Sequence, residues 1–291
     1  MTSTEHTDIM CIGSVLWDVI GRCDTAMRQG SDMPGRITRL PGGVALNIAM
    51  ALARFGLKPA LLSAVGRDAE GDELIAACAA RGLVTDMIYR SDDLPTDRYM
   101  AVEGANGLIA AVADAHSLEA AGEKILRPLP EGFTGAVALD GNLTVELLAT
   151  MASSPLLAEA DLRVAPASPG KALRLSPFLR TGRGTLYVNL EEAGLLCQAG
   201  FGSSNDAAAG LLARGALRAV VTDGGNPATV AESTGLITQT PPPVSVTRVT
   251  GAGDTFMAAH IAAELRGHAP DVALNNALSA AAQYVSGETK I

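Results

Sequence analysis

Aromatic side chains are scarce in this chain: one Trp, four Tyr and five Phe among 291 residues. A core of this size must then come from aliphatic side chains, and the plentiful Ala and Gly suit close packing of layers. Basic charge is also in deficit, with 22 Lys and Arg against 31 Asp and Glu, a net of −9. That balance excludes a general nucleic-acid binder, which needs clustered cations to neutralise phosphates. There are four cysteines, Cys11, Cys23, Cys78 and Cys197, in no CxxC or zinc spacing. They read as reduced, buried thiols of a cytoplasmic protein. No apolar run reaches the roughly 18 residues of a membrane span. The start of the chain is polar, with Glu5 and Asp8, and does not read as a signal peptide. His6, His116, His260 and His268 share no metal spacing, and no Gly-x-Ser-x-Gly element is present. The hydrophobic fraction of 48% excludes a disordered chain.

What is present is an alternation. Apolar runs at 9–13, 60–65, 136–140, 162–165, 185–188 and 219–222 read as short buried strands. Helical spacing predicts helices over 44–55, 70–80, 144–151, 191–197 and 206–214, and two Ala-rich helices over 254–266 and 271–285. The pattern predicts an α/β fold, a mostly parallel sheet with helices on both faces, as a single domain over 1–291. Two stretches interrupt it. Residues 21–40 are polar, Gly-bearing and without helical period, and residues 98–112 alternate apolar and polar about Asn106-Gly107, a hairpin signal. A hairpin off an α/β core suits a lid.

The sharpest motif is Thr250-Gly251-Ala252-Gly253-Asp254, a glycine turn opening a long helix. Glycines allow close approach of a ligand, and the first amides of the helix with its dipole suit a phosphate. Asp254 at that mouth suits a base that accepts the proton of an attacking hydroxyl; the plain alternative is an N-cap. Phe256 stands where a dinucleotide fingerprint needs its third Gly, which argues against a dehydrogenase. A second diglycine, Gly42-Gly43, opens another helix, with Asn47 one turn in, able to donate to and accept from a sugar hydroxyl. Asp18 and Asp140 follow strand ends, where ligands of open α/β sheets sit; as bland alternatives both are loop acids. Asn189 and Glu192, three apart, suit either a hydrated Mg²⁺ or a capping box, and the two readings are compatible. Thr222-Asp223-Gly224-Gly225 reads as a nucleotide contact or a hairpin turn.

In this order and together, Gly42-Gly43 with Asn47, Asn189-x-x-Glu192 and Thr250-Gly251-Ala252-Gly253-Asp254 resemble the PfkB, or ribokinase-like, family of carbohydrate kinases over essentially the whole chain. The resemblance implies a doubly wound sheet with a small β lid, formed by about 20–41 and 96–113. It implies ATP-dependent phosphorylation of a primary hydroxyl on a sugar or nucleoside, with Mg²⁺. By the same resemblance, Asp254 is the base and Gly251, Ala252 and Gly253 the anion hole. Asp18, Gly42, Gly43, Asn47 and Asp140 would contact the sugar, and Thr96 and Asn142 a nucleoside base. Asn189, Thr222, Gly224 and Asn276 would hold the nucleotide, with Glu192 on Mg²⁺ through water. Apart from the resemblance, the place of Arg98 on the lid suits positive charge over the phosphates or the base. Arg248-Val249-Thr250 stands where many members carry Asp-Thr-Thr, part of a monovalent-cation site in several of them, so K⁺ stays an open addition. Apolar lid residues such as Tyr99, Ala101 and Leu108 point to a homodimer through the lids. The rival reading is a non-catalytic sugar or nucleoside sensor on the same fold, against which the intact 251–254 element speaks.

Overall fold

The computed structural model describes residues 7–287; Glu5 and His6 lie outside the described residues. The chain opens with β1 (Ile9–Ile12), β2 (Leu16–Arg22), β3 (Arg36–Gly42), α1 (Val44–Arg54), β4 (Pro59–Leu62), β5 (Ala64–Gly66), α2 (Ala69–Ala79) and β6 (Tyr89–Ser91). There follow β7 (Arg98–Gly104), β8 (Gly107–Asp114), α3 (His116–Ala121), β9 (Ala136–Asp140), α4 (Val145–Ser153), β10 (Asp161–Ala165), α5 (Ser176–Thr181), β11 (Thr185–Asn189), α6 (Leu190–Cys197) and α7 (Ser204–Ala213). The last elements are β12 (Arg218–Asp223), β13 (Asn226–Glu232), β14 (Gly235–Gln239), α8 (Ala252–Leu265) and α9 (Pro270–Ser286).

The main sheet runs β14-β13-β12-β11-β10-β9-β1-β4. From β12 to β4 it is parallel, and β13 and β14 add an antiparallel edge. Side chains alternate across a strand, so β1 sends Ile9 and Cys11 to one face and Met10 and Ile12 to the other. The first pair packs with Leu46, Ile48, Leu52, Phe256, Ile261 and Leu274 of α1, α8 and α9. The second packs with Leu118, Leu147, Met151, Phe178 and Leu211 on the opposite side. Burying both faces of the sheet explains why the strands read as continuous apolar runs. All four cysteines are free and buried in this packing. Among the described residues no helix is long and apolar enough to cross a membrane.

A second sheet, β3-β2-β7-β8, stands apart from the first. The stretch read as an aperiodic interruption, 21–40, supplies most of β3 and the end of β2, which pair antiparallel from Leu16↔Gly42 to Arg22↔Arg36. Asp18 and Gly21 hide the strand period there, and the partner strands supply the order. The hairpin expected at Asn106-Gly107 is present: Gly104 pairs with Gly107, whose φ is +94°, and the register shifts at Val102/Glu103. A glycine at positive φ after a turn, next to a bulge, fits the sheet's twist. Ala101, expected on an exposed lid face, is 1% exposed, its methyl lying between Ile20 of β2 and Ala111 of β8. Leu108 is 59% exposed, as expected.

Candidate active site

The two glycine-opened helices start side by side, at the carboxyl ends of the parallel strands, and end up with opposite electrostatic fates. At α1, Gly43 is the N-cap, with φ +101°. A β-carbon there would press on the Ser14 carbonyl, so glycine is required by space as well as by dihedral angle. The first amides of α1 all find protein acceptors. Val44 donates to Ser14 Oγ (2.9 Å), Ala45 to Asp140 Oδ2 (3.3 Å), Leu46 to the Ser14 carbonyl (3.3 Å) and Asn47 to the Gly43 carbonyl (2.8 Å).

Asp140, at the end of β9, is the hub of that arrangement. Its exposure is zero, and it accepts five hydrogen bonds, from Ser14 N and Oγ, Ala45 N, and Asn142 N and Nδ2. It has no open face for a sugar. Asn142 is likewise engaged: its Nδ2 donates to Ser14 Oγ at 3.0 Å, and its Oδ1 accepts from the Lys171 ammonium. Burial, with the neighbouring Arg174 guanidinium, lowers the Lys171 pKa. Ser14 and Lys171 are the residues that sequence reasoning missed. The Gly13-Ser14 pair at the end of β1 was visible as a strand stop; its hydroxyl's role depends on β9 lying next to β1.

At α8, Gly251 is the N-cap, in the left-handed region with φ +87°. A β-carbon on it would run into the Tyr284 hydroxyl, which itself donates to the Thr250 carbonyl at 2.8 Å. The Ala252 amide is turned inward onto the Val249 carbonyl (3.0 Å). The Gly253 and Asp254 amides, at the second and third helical positions, have no acceptor within the helix, and a β-carbon on Gly253 would meet open space. So the cradle comes from Gly253 and Asp254, with Gly251 shaping it and Ala252 contributing no outward amide.

Asp254 faces α1 across this gap, with the Asn47 side chain near enough to its carboxylate to favour the charged form. It keeps partial access to solvent while its carboxyl sits low among protein atoms. That burial, with the charge of Asp140 nearby, pushes its pKa up to about 7, against the lowering effect of Asn47. On the other side, Asp18 of β2 lies against Gly42, where a β-carbon would overlap its carboxylate. Burial raises the Asp18 pKa to about 6. By register Leu40 and Tyr99 flank it on the same face of the small sheet.

Further along the strand ends, Asn189 and Glu192 form the capping box of α6. Asn189 Oδ1 accepts from the Glu192 amide (2.8 Å) and Glu192 Oε2 from the Asn189 amide (2.9 Å). Glu192 is 7% exposed, and burial raises its pKa. Asn189 pairs with Thr222 on β12. The segment after Thr222 is a hairpin turn, Asp223 facing Asn226, and Thr222, Gly224 and Gly225 also line a cavity of about 360 Å³. Its other walls are Pro241–Pro243, Val244, Val246, Val249, Phe256, Leu278 and Val285, and it reaches Ala252 and Gly253.

Three expected residues are not brought to this cleft. Thr96 is 1% exposed and is bound to Asp68, with its hydroxyl at 2.6 Å and its amide at 2.8 Å. Asp68 also caps α2, so Thr96 ties the start of the small sheet to the main body. Asn276 does not line the cavity; its amide meets His268 Nδ1 at 3.2 Å in the α8–α9 connection. Arg98 pairs with Glu70 at 2.8 Å and by register shares the Trp17 face of the small sheet, opposite Asp18.

The family model for the pfkB family of carbohydrate kinases matches residues 6–289. The chain is 30% identical to the pseudouridine kinase of Escherichia coli over 261 residues, covering 87% of this chain and 82% of that protein. The ribokinase of Thermotoga maritima superposes with a TM-score of 0.81 at 21% identity, over 96% of this chain and 93% of that one. The Arabidopsis thaliana ribokinase, solved with ribose and ATP, gives a TM-score of 0.78 at 19% identity, over 98% and 94%. The fold is therefore ribokinase-like, as the sequence implied.

Proposed function

Because the chain belongs to the pfkB family of carbohydrate kinases, we propose that it transfers the γ-phosphoryl group of ATP to the 5′-hydroxyl of pseudouridine. The observation that carries the reading is the meeting of Asp254 with Asn47 beside the outward amides of α8. The choice of pseudouridine rests on the Escherichia coli relative. It also rests on the likeness to pseudouridine kinases of Ser31-Asp32-Met33-Pro34-Gly35-Arg36-Ile37, Asp140-Gly141-Asn142-Leu143 and Val246-Thr247-Arg248-Val249.

The acceptor's ribose lies between Asp18, Asn47 and the Gly42-Gly43 backbone, beneath the small sheet acting as a lid. Asp140 and Asn142 act as positioning residues, holding α1 and β1 in place. Asp254 takes the proton of the attacking hydroxyl. Its pKa near 7 suits that task, since a base works best when its pKa lies near the operating pH. The α8 amides and dipole stabilise charge on the phosphoryl oxygens in flight; in such a loose transition state, positioning and charge stabilisation do most of the work. Mg²⁺ on the nucleotide would supply charge neutralisation at the phosphates, and Glu192, with one oxygen committed to the capping box, would hold it through water with the other. Arg248 lays its guanidinium 3.9 Å over the Tyr284 ring beside the 247–251 loop.

We place a homodimer on the small sheet. Ile37, Met100 and Val112, 77%, 51% and 60% exposed, share its face opposite Asp18, and a second copy would cover them. The test of the activity is ADP release with pseudouridine, uridine, ribose and adenosine side by side. Turnover is expected to be fastest with pseudouridine. Faster turnover of ribose or adenosine would reassign the substrate, and ligand binding without ADP release would make the chain a sensor.

A further inference from the structure

The nucleotide cavity is unlike the acceptor side in one respect: among the described residues its walls carry almost no side chain that can read a base by hydrogen bonding. Around it stand Pro241, Pro242, Pro243, Val244, Val246 and Val249 on one side, and Leu278, Ala281, Ala282 and Val285 of α9 on the other. Among the described lining residues the Thr222 hydroxyl is the one hydrogen-bonding side-chain group, and it sits at the strand ends beside Asn189. That end, with Gly224, Gly225 and Gly253, belongs to ribose and phosphates. The far end has aliphatic side chains and a run of three prolines, which have no backbone N–H. Val244, Val246 and Val249 are 40%, 63% and 70% exposed, apolar surface suited to the face of a planar ring.

From this we infer that the phosphate donor is selected as a purine by shape, and that the exocyclic groups distinguishing adenine from guanine are scarcely read. The donor class is thus a purine nucleoside triphosphate, with ATP and GTP close to equivalent. The inference rests on the kinase reading above. A site built to hydrogen-bond its ligand rejects an analogue lacking the matching group by about 10⁴–10⁵, whereas an apolar pocket discriminates by size, about 10–200-fold.

The test is phosphoryl transfer to pseudouridine from ATP, GTP, ITP, CTP and UTP, together with calorimetric binding of ADP, GDP and CDP, which needs no acceptor. GTP and ITP are expected within about tenfold of ATP in kcat/KM, GDP within about tenfold of ADP in Kd, and the pyrimidines about 10–100-fold weaker. The Thr222→Val variant is expected to leave the GTP-to-ATP ratio within about twofold of the parent, because that hydroxyl lies at the ribose end. A preference for ATP over GTP beyond about 10³-fold, or a ratio moved tenfold or more by Thr222→Val, would overturn the inference. The kinase reading fails differently: no nucleoside diphosphate binds, and no triphosphate supports transfer.

Discussion

The N-termini of α1 and α8 look alike in sequence, each a glycine turn opening an apolar helix, and the fold uses them for opposite purposes. The amides of α1 are met by Ser14, Asp140 and Gly43. A carboxylate of the protein itself occupies the place where an anion would sit, so α1 is a fixed platform for Gly43 and Asn47. At α8 the Gly253 and Asp254 amides face outward, and the carboxylate at that helix start leans toward Asn47 of α1. A helix N-terminus becomes a ligand site only when the neighbouring strand end sends nothing to fill it. The acid at the end of β9, one strand away from β1, makes the difference.

This contrast can be broken from either side. The largest effect is expected at Asp254→Asn, which keeps shape and removes the base. Its kcat should fall by about 10²–10⁴ while nucleotide binding is retained, measured by steady-state ADP release and calorimetry. Melting at pH 8 should rise in the same variant. The folded carboxyl has a pKa near 7, above its ordinary value of 3.8, so its charged form is disfavoured by the fold and costs stability above pH 7. Next comes Asp140→Ala. It orphans the buried Ser14, Ala45 and Asn142 amides at about 1–3 kcal/mol each, before any relaxation. A denaturation midpoint well below the parent's is expected; an unchanged midpoint would remove Asp140 from its role at α1. Gly42→Ala pushes a β-carbon into the Asp18 carboxylate. It should raise the acceptor KM by about tenfold, roughly 1.4 kcal/mol, and leave ATP's KM alone. The smallest effect is expected at Asn276→Ala, which touches His268 and not the cavity; kcat and both KM values should stay within twofold, on the order of a few tenths of a kcal/mol, as for an ordinary surface substitution.

Much of the frame was legible in the residues. The runs at 136–140 and 185–188 and the two closing helices fall where β9, β11, α8 and α9 lie, because burial on both faces leaves few polar positions to confuse the period. β13 and β14 were not read at all. Pro227 near the start of β13 and the polar Thr238 and Gln239 of β14 weaken the signal of an edge hairpin. Gly42, Gly43, Asn47, Asp18 and Asp254 do converge, since their roles follow from local backbone geometry and strand ends. Asn142 and Asp140 also sit at the strand end their motif suggested, yet Lys171 and Ser14 already hold them, and Thr96 is held by Asp68 away from the cleft. A motif tells which residue type stands at a strand end; which partner reaches it first depends on sheet order, and that is a long-range fact.

The most direct test of the central claim is the pH dependence of kcat/KM for the parent protein, because that parameter reports ionisations of the free enzyme. A base raised to about 7 is protonated and idle below that pH and ionised above it. The account predicts a rate that climbs through pH 7 and levels off above about 8, with the climb absent from the residual activity of Asp254→Asn. A profile that is flat from pH 5 to 8 in the parent, with transfer at full rate, would contradict it.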